Sequence, residues 1–135
     1  MKGRKRHILV DHLGLLITAV VGAANCTERD GLEALFCLRP KGQSLPGKIF
    51  ADQGYCGDDM KMRAKRYGVD LETVKRRETK GFSVEARRWI VERTFAWFGK
   101  FRRLSKDYEL VTQTSLSMMC LVMIRLMCKR ISQMV

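Results

Sequence analysis

Two carboxylates stand where they could take part in chemistry. Asp52 closes a predicted strand, at the end of the strand where α/β sheets usually place ligands. Glu92 lies within a basic helical segment, flanked by Trp89 and Phe95. A carboxylate beside aromatic residues is costly to bury unless a cation or a metal ion satisfies it. From the residue types alone this role competes with two simpler ones, Asp52 as a turn or cap residue and Glu92 in an ion pair with Arg88.

The positive charge of the chain is concentrated around Glu92. The 135 residues carry a net charge of +12, and residues 61–106 hold 15 basic and 5 acidic side chains. This concentration favours a polyanionic partner, nucleic acid before membrane, bound mainly through its phosphates. A solvated basic face is the alternative. The basic cluster comprises Arg76, Arg77, Lys80, Arg87, Arg102, Arg103 and Lys106.

The elements that must position these residues follow the order β, β, α, β, α, β, α, α. This order is typical of an α/β fold in which helices flank a mixed sheet. Asp11 and Gly14 bound the turn of a predicted hairpin, and Thr27 or Asp30 caps the first helix. The predicted elements are the strands His7–Asp11 and Leu15–Ala24, the helix Gly31–Leu38, the strand Lys48–Asp52, the helix Asp58–Tyr67, the strand Val69–Lys75, a long helix from Val84 to about Arg103, and a last helix over residues 113–131.

The composition excludes several classes of protein. With 46% hydrophobic and 30% charged residues and two prolines, the chain is not a disordered tail, and its length predicts a single domain over residues 1–135. The charged N-terminus has no secretory cleavage site, and five widely spaced cysteines fit reduced thiols in a cytoplasm. The most apolar segment, residues 116–128, is too short for a membrane span and contains Arg125.

Four segments resemble, in the same order, sequence blocks of bacterial insertion-sequence DDE transposases. One block alone is a weak signal, whereas four blocks in the family's order, from Lys2 to Glu109, are highly specific. The segments are KGRKRHILVDHLG at 2–14, ANCTERDG at 24–31, FADQGY at 50–55, and RRWIVERTFAW at 87–97 followed by FRRLSKDYE at 101–109.

The resemblance implies an RNase H-like fold and an enzyme that cuts and joins DNA strands. Members of the family use three carboxylates to hold two divalent ions, normally Mg²⁺. By position, Asp52 matches the second catalytic aspartate and Glu92 the catalytic glutamate, so both are predicted metal ligands. Arg88 matches an arginine one helical turn before the glutamate, where it could hold a phosphate or orient Glu92. The implied partner is DNA, both transposon ends and target.

The chain departs from the family's pattern at several places. Glu85 stands where the signature has a tyrosine, and Gly99 stands where it has a basic residue, with Lys100 next along as the predicted substitute. In the family the first catalytic aspartate lies on a central strand upstream of the first block, and the resemblance therefore implies that this chain lacks that strand and that aspartate. Asp11 matches the family's hairpin rather than that aspartate, so we expect a turn residue there.

Two functions therefore compete. The leading hypothesis is the C-terminal part of a DDE transposase catalytic domain, nucleoid-associated in a bacterial cytoplasm and inactive alone because the first catalytic aspartate is missing. The alternative is a catalytically dead DNA-binding or assembly protein that interferes with an intact transposase. In either case the expected protein partner is a second copy or the missing N-terminal segment, and no membrane is involved.

Overall fold

The computed structural model describes residues 3–74 and 86–134 and has an α/β arrangement of small sheets and helices. A 3₁₀ turn, Gln53–Tyr55, follows the third strand. The elements are β1 (Arg4–Val10), β2 (Leu16–Ala23), α1 (Glu28–Cys37), β3 (Lys48–Ala51), α2 (Asp58–Arg66), β4 (Asp70–Thr73), α3 (Ala86–Gly99), α4 (Arg102–Ser105) and α5 (Thr112–Met134).

The hairpin predicted at the start of the chain is confirmed. β1 and β2 pair antiparallel, with Arg4 opposite Ala23 and a register irregularity near the turn. The carboxylate of Asp11 accepts hydrogen bonds of 2.9 Å from the backbone N–H groups of Leu13 and Leu15. Gly14 has a φ of +81°, a conformation that glycine adopts without strain. Asp11 is therefore the turn residue that the sequence predicts.

The strands form two separate sheets in the described residues. The order of the elements predicts a mixed sheet, and the resemblance implies a sheet without its central strand, which would lie between the hairpin and the strand that carries Asp52. β3 and β4 pair in parallel, with Lys48 opposite Asp70 and Ala51 opposite Thr73. Helix α2 connects them. Within the described residues, the strand β1 pairs only with β2, and the strand β3 only with β4. A single sheet would need backbone hydrogen bonds between these two pairs, and β1 and β3 do not make them.

The long helix predicted from Val84 to about Arg103 is wrong at its C-terminal end. Helix α3 ends at Gly99, and Phe101 takes an extended conformation before α4 begins. Phe98 and Leu104 are both buried in the same cluster, at 1% and 3% exposure. The bend at 99–101 lets both side chains reach that cluster, and Gly99 is a poor helix former. Lys100 consequently lies in the bend and not on the helix.

The hairpin lies between two apolar clusters because successive strand residues point to opposite faces. Leu9 packs with α1, α2 and the β3–β4 sheet, whereas Ala19 and Val21 pack with α3, α4 and α5. Thr27 caps α1 by accepting a hydrogen bond from the backbone N–H of Asp30, which settles the choice between these two residues. Among the helices of the described residues, none combines the length and the apolar character needed to cross a membrane.

Candidate functional site

Asp52 lies directly after β3 and caps the 3₁₀ turn. One oxygen of its exposed carboxylate accepts a hydrogen bond of 3.0 Å from the backbone N–H of Gly54. The backbone N–H of Tyr55 donates to the carbonyl of Asp52 at 3.1 Å. The cap role considered from the sequence is therefore present. It also fixes the carboxylate at the end of the strand, so the cap and a ligand role are compatible.

Glu92 is exposed on α3, and its neighbours in sequence fasten this helix to the hairpin turn. The buried hydroxyl of Thr94 donates to the carbonyl of Gly14 at 2.7 Å. The guanidinium of Arg93 donates to the carbonyl of Leu13 at 2.8 Å. These two bonds fix the rotation of α3 about its axis and thereby place Glu92.

The indole rings on α3 hold Arg93 and are not both core residues. The guanidinium of Arg93 lies 4.6 Å from the ring centroid of Trp89 and 5.0 Å from that of Trp97, which are cation–π distances. Trp89 is 47% exposed. Trp89 is therefore not a core residue.

Asp52 and Glu92 line the same groove, although 40 positions separate them in the sequence. The groove has a volume of about 540 Å³ and runs between β1 and β3. Consecutive residues of both strands line it, from Lys5 to Leu9 on β1 and from Ile49 to Ala51 on β3, and the lining continues into Asp52. Because successive side chains point to opposite faces, a groove lined in this way follows the edges of the strands.

A third carboxylate, that of Glu28, lines this groove, and the sequence does not predict a role for it. The ammonium of Lys5 lies 2.5 Å from the Glu28 carboxylate, and its hydrogen bond holds the Glu28 pKa below the ordinary value. A Cβ added to Gly54 would lie 3.1 Å from Asp52 Oδ1 and 3.2 Å from Glu28 Cγ. The absence of a side chain at Gly54 thus leaves room for both acids.

The carboxylates of Asp52 and Glu92 are the hard oxygen donors that Mg²⁺ prefers. However, the described part of the chain contains no group of three or more histidine, cysteine, aspartate or glutamate side chains arranged to hold a metal ion. The described residues therefore fit part of a ligand set and do not form a complete one.

A buried histidine lies beside the Asp52 turn. His7 on β1 is 2% exposed, and a hydrogen bond of 2.7 Å joins its Nδ1 to the Tyr55 hydroxyl, with the donor set by the imidazole tautomer. Burial, and secondarily the charge of Lys5, lower the pKa of His7. Burial, and then the charges of Asp52 and Glu28, raise the pKa of Tyr55 well above its ordinary value, so the phenol is protonated at neutral pH.

The predicted DNA-binding residues that the structure describes lie around the bend between α3 and α4. Lys100, Arg102, Arg103 and Lys106 are all exposed, and Arg103 forms an ion pair with Glu109. Arg76, Arg77 and Lys80 lie outside the described residues. Arg87 and Arg88 belong to the first turn of α3, and their side chains also lie outside the described part.

The chain belongs to the transposase DDE domain family, because the model of that family matches residues 1–127. It is also similar to a protein from Burkholderia cepacia named "Putative transposase for insertion sequence element IS402", with 31% identity over 114 residues. The match covers 79% of this chain and 54% of that protein. The chain thus spans about half the length of this curated relative. No solved structure matches the chain.

Proposed function

We propose that the chain is the larger part of the RNase H-like catalytic domain of an insertion-sequence DDE transposase. Its function would be DNA transposition through metal-dependent strand cleavage and strand transfer. The observation that carries this proposal is the shared groove of Asp52 and Glu92, because these are the residues that match the family's second aspartate and its glutamate. Family membership over residues 1–127 supports it independently.

The same groove supports the proposal that a central strand belongs between β1 and β3. The edges of both strands border the groove, and within the described residues neither strand has a second hydrogen-bonded neighbour. A strand inserted in the groove would pair with the free edges of β1 and β3 and thereby join the two sheets into a single mixed sheet. This strand would carry the family's first aspartate, and residues 1–135 alone would be an incomplete, inactive domain.

The proposed mechanism assigns different tasks to the residues of the groove and to the basic residues. Asp52 and Glu92 would hold Mg²⁺, whose chemistry at such sites is to activate water or a DNA 3′-hydroxyl and to stabilise the leaving oxygen. The cap bond from Gly54 and the anchoring of α3 orient these two carboxylates. DNA phosphates would be contacted by the basic residues in and after the bend and by those before it. These residues are Lys100, Arg102, Arg103 and Lys106, together with Arg76, Arg77, Lys80, Arg87 and Arg88.

The test of this proposal is a nicking assay with Mg²⁺ on DNA that carries transposon ends. The 135-residue chain is assayed alone and with the N-terminal piece of a full-length relative. We expect nicking only when the piece is present. Asp52→Asn and Glu92→Gln should each reduce it at least 100-fold, because each removes a charged ligand. Asp70→Asn is the matched control, an exposed carboxylate away from the groove, and should have no effect.

Two outcomes would contradict the proposal. Robust nicking by the 135-residue chain alone would refute the proposal that it is an incomplete and inactive domain. Absence of nicking even with the added piece, with DNA affinity retained in the Asp52→Asn and Glu92→Gln variants, would favour the alternative function. In that case the chain is a DNA-binding or assembly protein that interferes with an intact transposase as a mixed oligomer.

A further inference from the structure

The Asp52 turn is connected to the hairpin by a side-chain hydrogen bond that crosses between the two sheets. β1 and β3 exchange no backbone hydrogen bonds. His7 on β1 and Tyr55 at the end of the 3₁₀ turn are nevertheless joined at 2.7 Å, and their rings meet edge to face at 81°. This pair thus joins the turn directly to β1, beside the apolar cluster that contains Leu9 and Ile49.

The imidazole of His7 is fixed from its other side by helix α1. A Cβ added to Gly31 would lie 2.3, 2.4 and 2.5 Å from three atoms of the His7 ring. The ring therefore rests directly on the backbone of the helix, in space that only a glycine leaves open. This contact prevents the ring from moving away from Tyr55 toward α1.

The turn between Asp52 and Tyr55 is closed by two hydrogen bonds to Asp52, one to its side chain and one to its backbone carbonyl. Asp52 accepts from the Gly54 N–H through its side chain, at 3.0 Å, and from the Tyr55 N–H through its carbonyl, at 3.1 Å. A displacement of the Tyr55 ring is therefore passed on to the Asp52 carboxylate through a turn of three residues.

A histidine at this buried position carries a cost in folding free energy. Within the described part of the chain, Nε2 of His7 is buried without a hydrogen-bond partner. A buried polar atom without a partner lowers stability, and an apolar residue of similar size would avoid that loss. The hydrogen bond that the described imidazole does make is the one between Nδ1 and the Tyr55 hydroxyl.

We propose that His7 is a positioning residue, which holds the Asp52 carboxylate at its place in the groove through the Tyr55 hydroxyl. This inference rests on the proposed role of Asp52 as a metal ligand. His7 itself does not touch substrate or metal. The two-residue link connects β1 to the turn after β3, and these two strands are not paired with each other.

The test is water-exchange NMR on the full 135-residue chain, with the amide of Gly54 reporting on the Asp52 turn. The amide of Asp70, which donates to the carbonyl of Gly47 at 2.8 Å, reports on the β3–β4 sheet as a whole. In His7→Ala the Gly54 exchange rate should rise about tenfold relative to that of Asp70, the effect of losing one hydrogen bond. Tyr55→Phe should have the same effect, even if His7→Ala does not fold.

Two further variants separate positioning from general stability. His7→Asn places a polar group near the position of Nδ1 and should restore most of the protection of Gly54. The double variant of His7→Ala and Tyr55→Phe should exchange no faster than either single variant, because both remove the same bond. An unchanged ratio of Gly54 to Asp70 exchange in both single variants would overturn the inference.

The nicking assay then reports separately on the proposed function. In the chain completed with the N-terminal piece, His7→Ala should raise the Mg²⁺ concentration needed for half-maximal nicking, and His7→Asn should restore it. If Asp52→Asn nicks normally while the exchange ratios change as expected, the proposed role of Asp52 fails and the link between His7 and the turn stands. If the ratios do not change, the inference fails whatever Asp52→Asn does.

Discussion

Replacing Gly31 by alanine should destabilise the protein, although the change improves the intrinsic helix propensity of α1. Gly31 is in the first half of the helix, is buried, and does not have a positive φ, so its backbone accepts alanine. The added Cβ would meet the imidazole of His7 at 2.3 Å. The sign of the effect therefore depends on one contact between a strand and a helix.

The expected magnitude is the difference between two opposing effects. Glycine inside a helix is less favourable than alanine by about 0.5–1 kcal/mol. An extra methyl in a packed interior costs about 1–3 kcal/mol when neighbours must shift. The His7 ring, held by Tyr55, cannot move without breaking a hydrogen bond. We therefore expect Gly31→Ala to lower the free energy of unfolding by about 1–2 kcal/mol.

The assay is urea unfolding of four chains: wild type, Gly31→Ala, His7→Ala and the double variant. When the ring is absent the clash disappears, so Gly31→Ala should stabilise the His7→Ala background by up to about 1 kcal/mol. Gly47→Ala is the matched control, because a Cβ there meets nothing within 4 Å. A Gly31→Ala effect of the same sign in both backgrounds would refute the packing of His7 on Gly31.

Three further predictions follow from single contacts. Thr94→Val removes the hydroxyl that donates to Gly14 and should lower the unfolding free energy by about 1–3 kcal/mol in urea titrations; no loss would contradict the anchoring of α3. Arg102→Ala and Arg103→Ala should weaken DNA binding on any sequence and each reduce the salt slope of log affinity by about one, so an unchanged slope would exclude phosphate contact. The pKa of His7 is lower in the folded state than in the unfolded state, so the imidazole of the unfolded chain is protonated at a higher pH. The free energy of unfolding should therefore fall as the pH drops below about 6.5. His7→Asn should lack this pH-dependent loss.

Local side-chain caps were predictable from the sequence because they act over a few residues. Asp11 bonds to backbone groups two and four positions ahead, and Thr27 to one three positions ahead. Such bonds need no information about the rest of the chain. The hairpin turn and the cap of the first helix therefore lie at residues that the sequence predicts. The predicted starts are nevertheless wrong by three residues, because β1 begins at Arg4 and not at His7, and α1 begins at Glu28 and not at Gly31.

The arrangement of the sheets and the end of α3 could not be predicted in this way. The helix ends at Gly99 because Phe98 and Leu104 enter one apolar cluster together with Met119. That requirement comes from α5, which begins after the bend, and the periodicity of residues 84–103 does not contain it. Strand pairing likewise depends on partners that are distant in the sequence.

The residues of the candidate site likewise differ in whether the local sequence predicts them. Asp52 and Glu92 could be found because each lies within a recognisable motif. The pair of His7 and Tyr55 spans 48 positions and repeats no pattern. A signal would have been present had the helix been predicted from Glu28, because a glycine inside a helix is unfavourable and requires a packing reason. The sequence alone does not predict that the residue packed against Gly31 is His7.

The hairpin is the common support of both carboxylates. Asp11 shapes its turn, and the carbonyls of this turn hold α3 through Arg93 and Thr94, which places Glu92. At the other end of the groove, the same hairpin presents His7 to the turn that carries Asp52. Asp11, attractive as a third metal ligand from its residue type, thus contributes to the site by building the turn. The hairpin thus contacts the elements that carry both proposed ligands, the Asp52 turn through His7 and α3 through the carbonyls of Leu13 and Gly14.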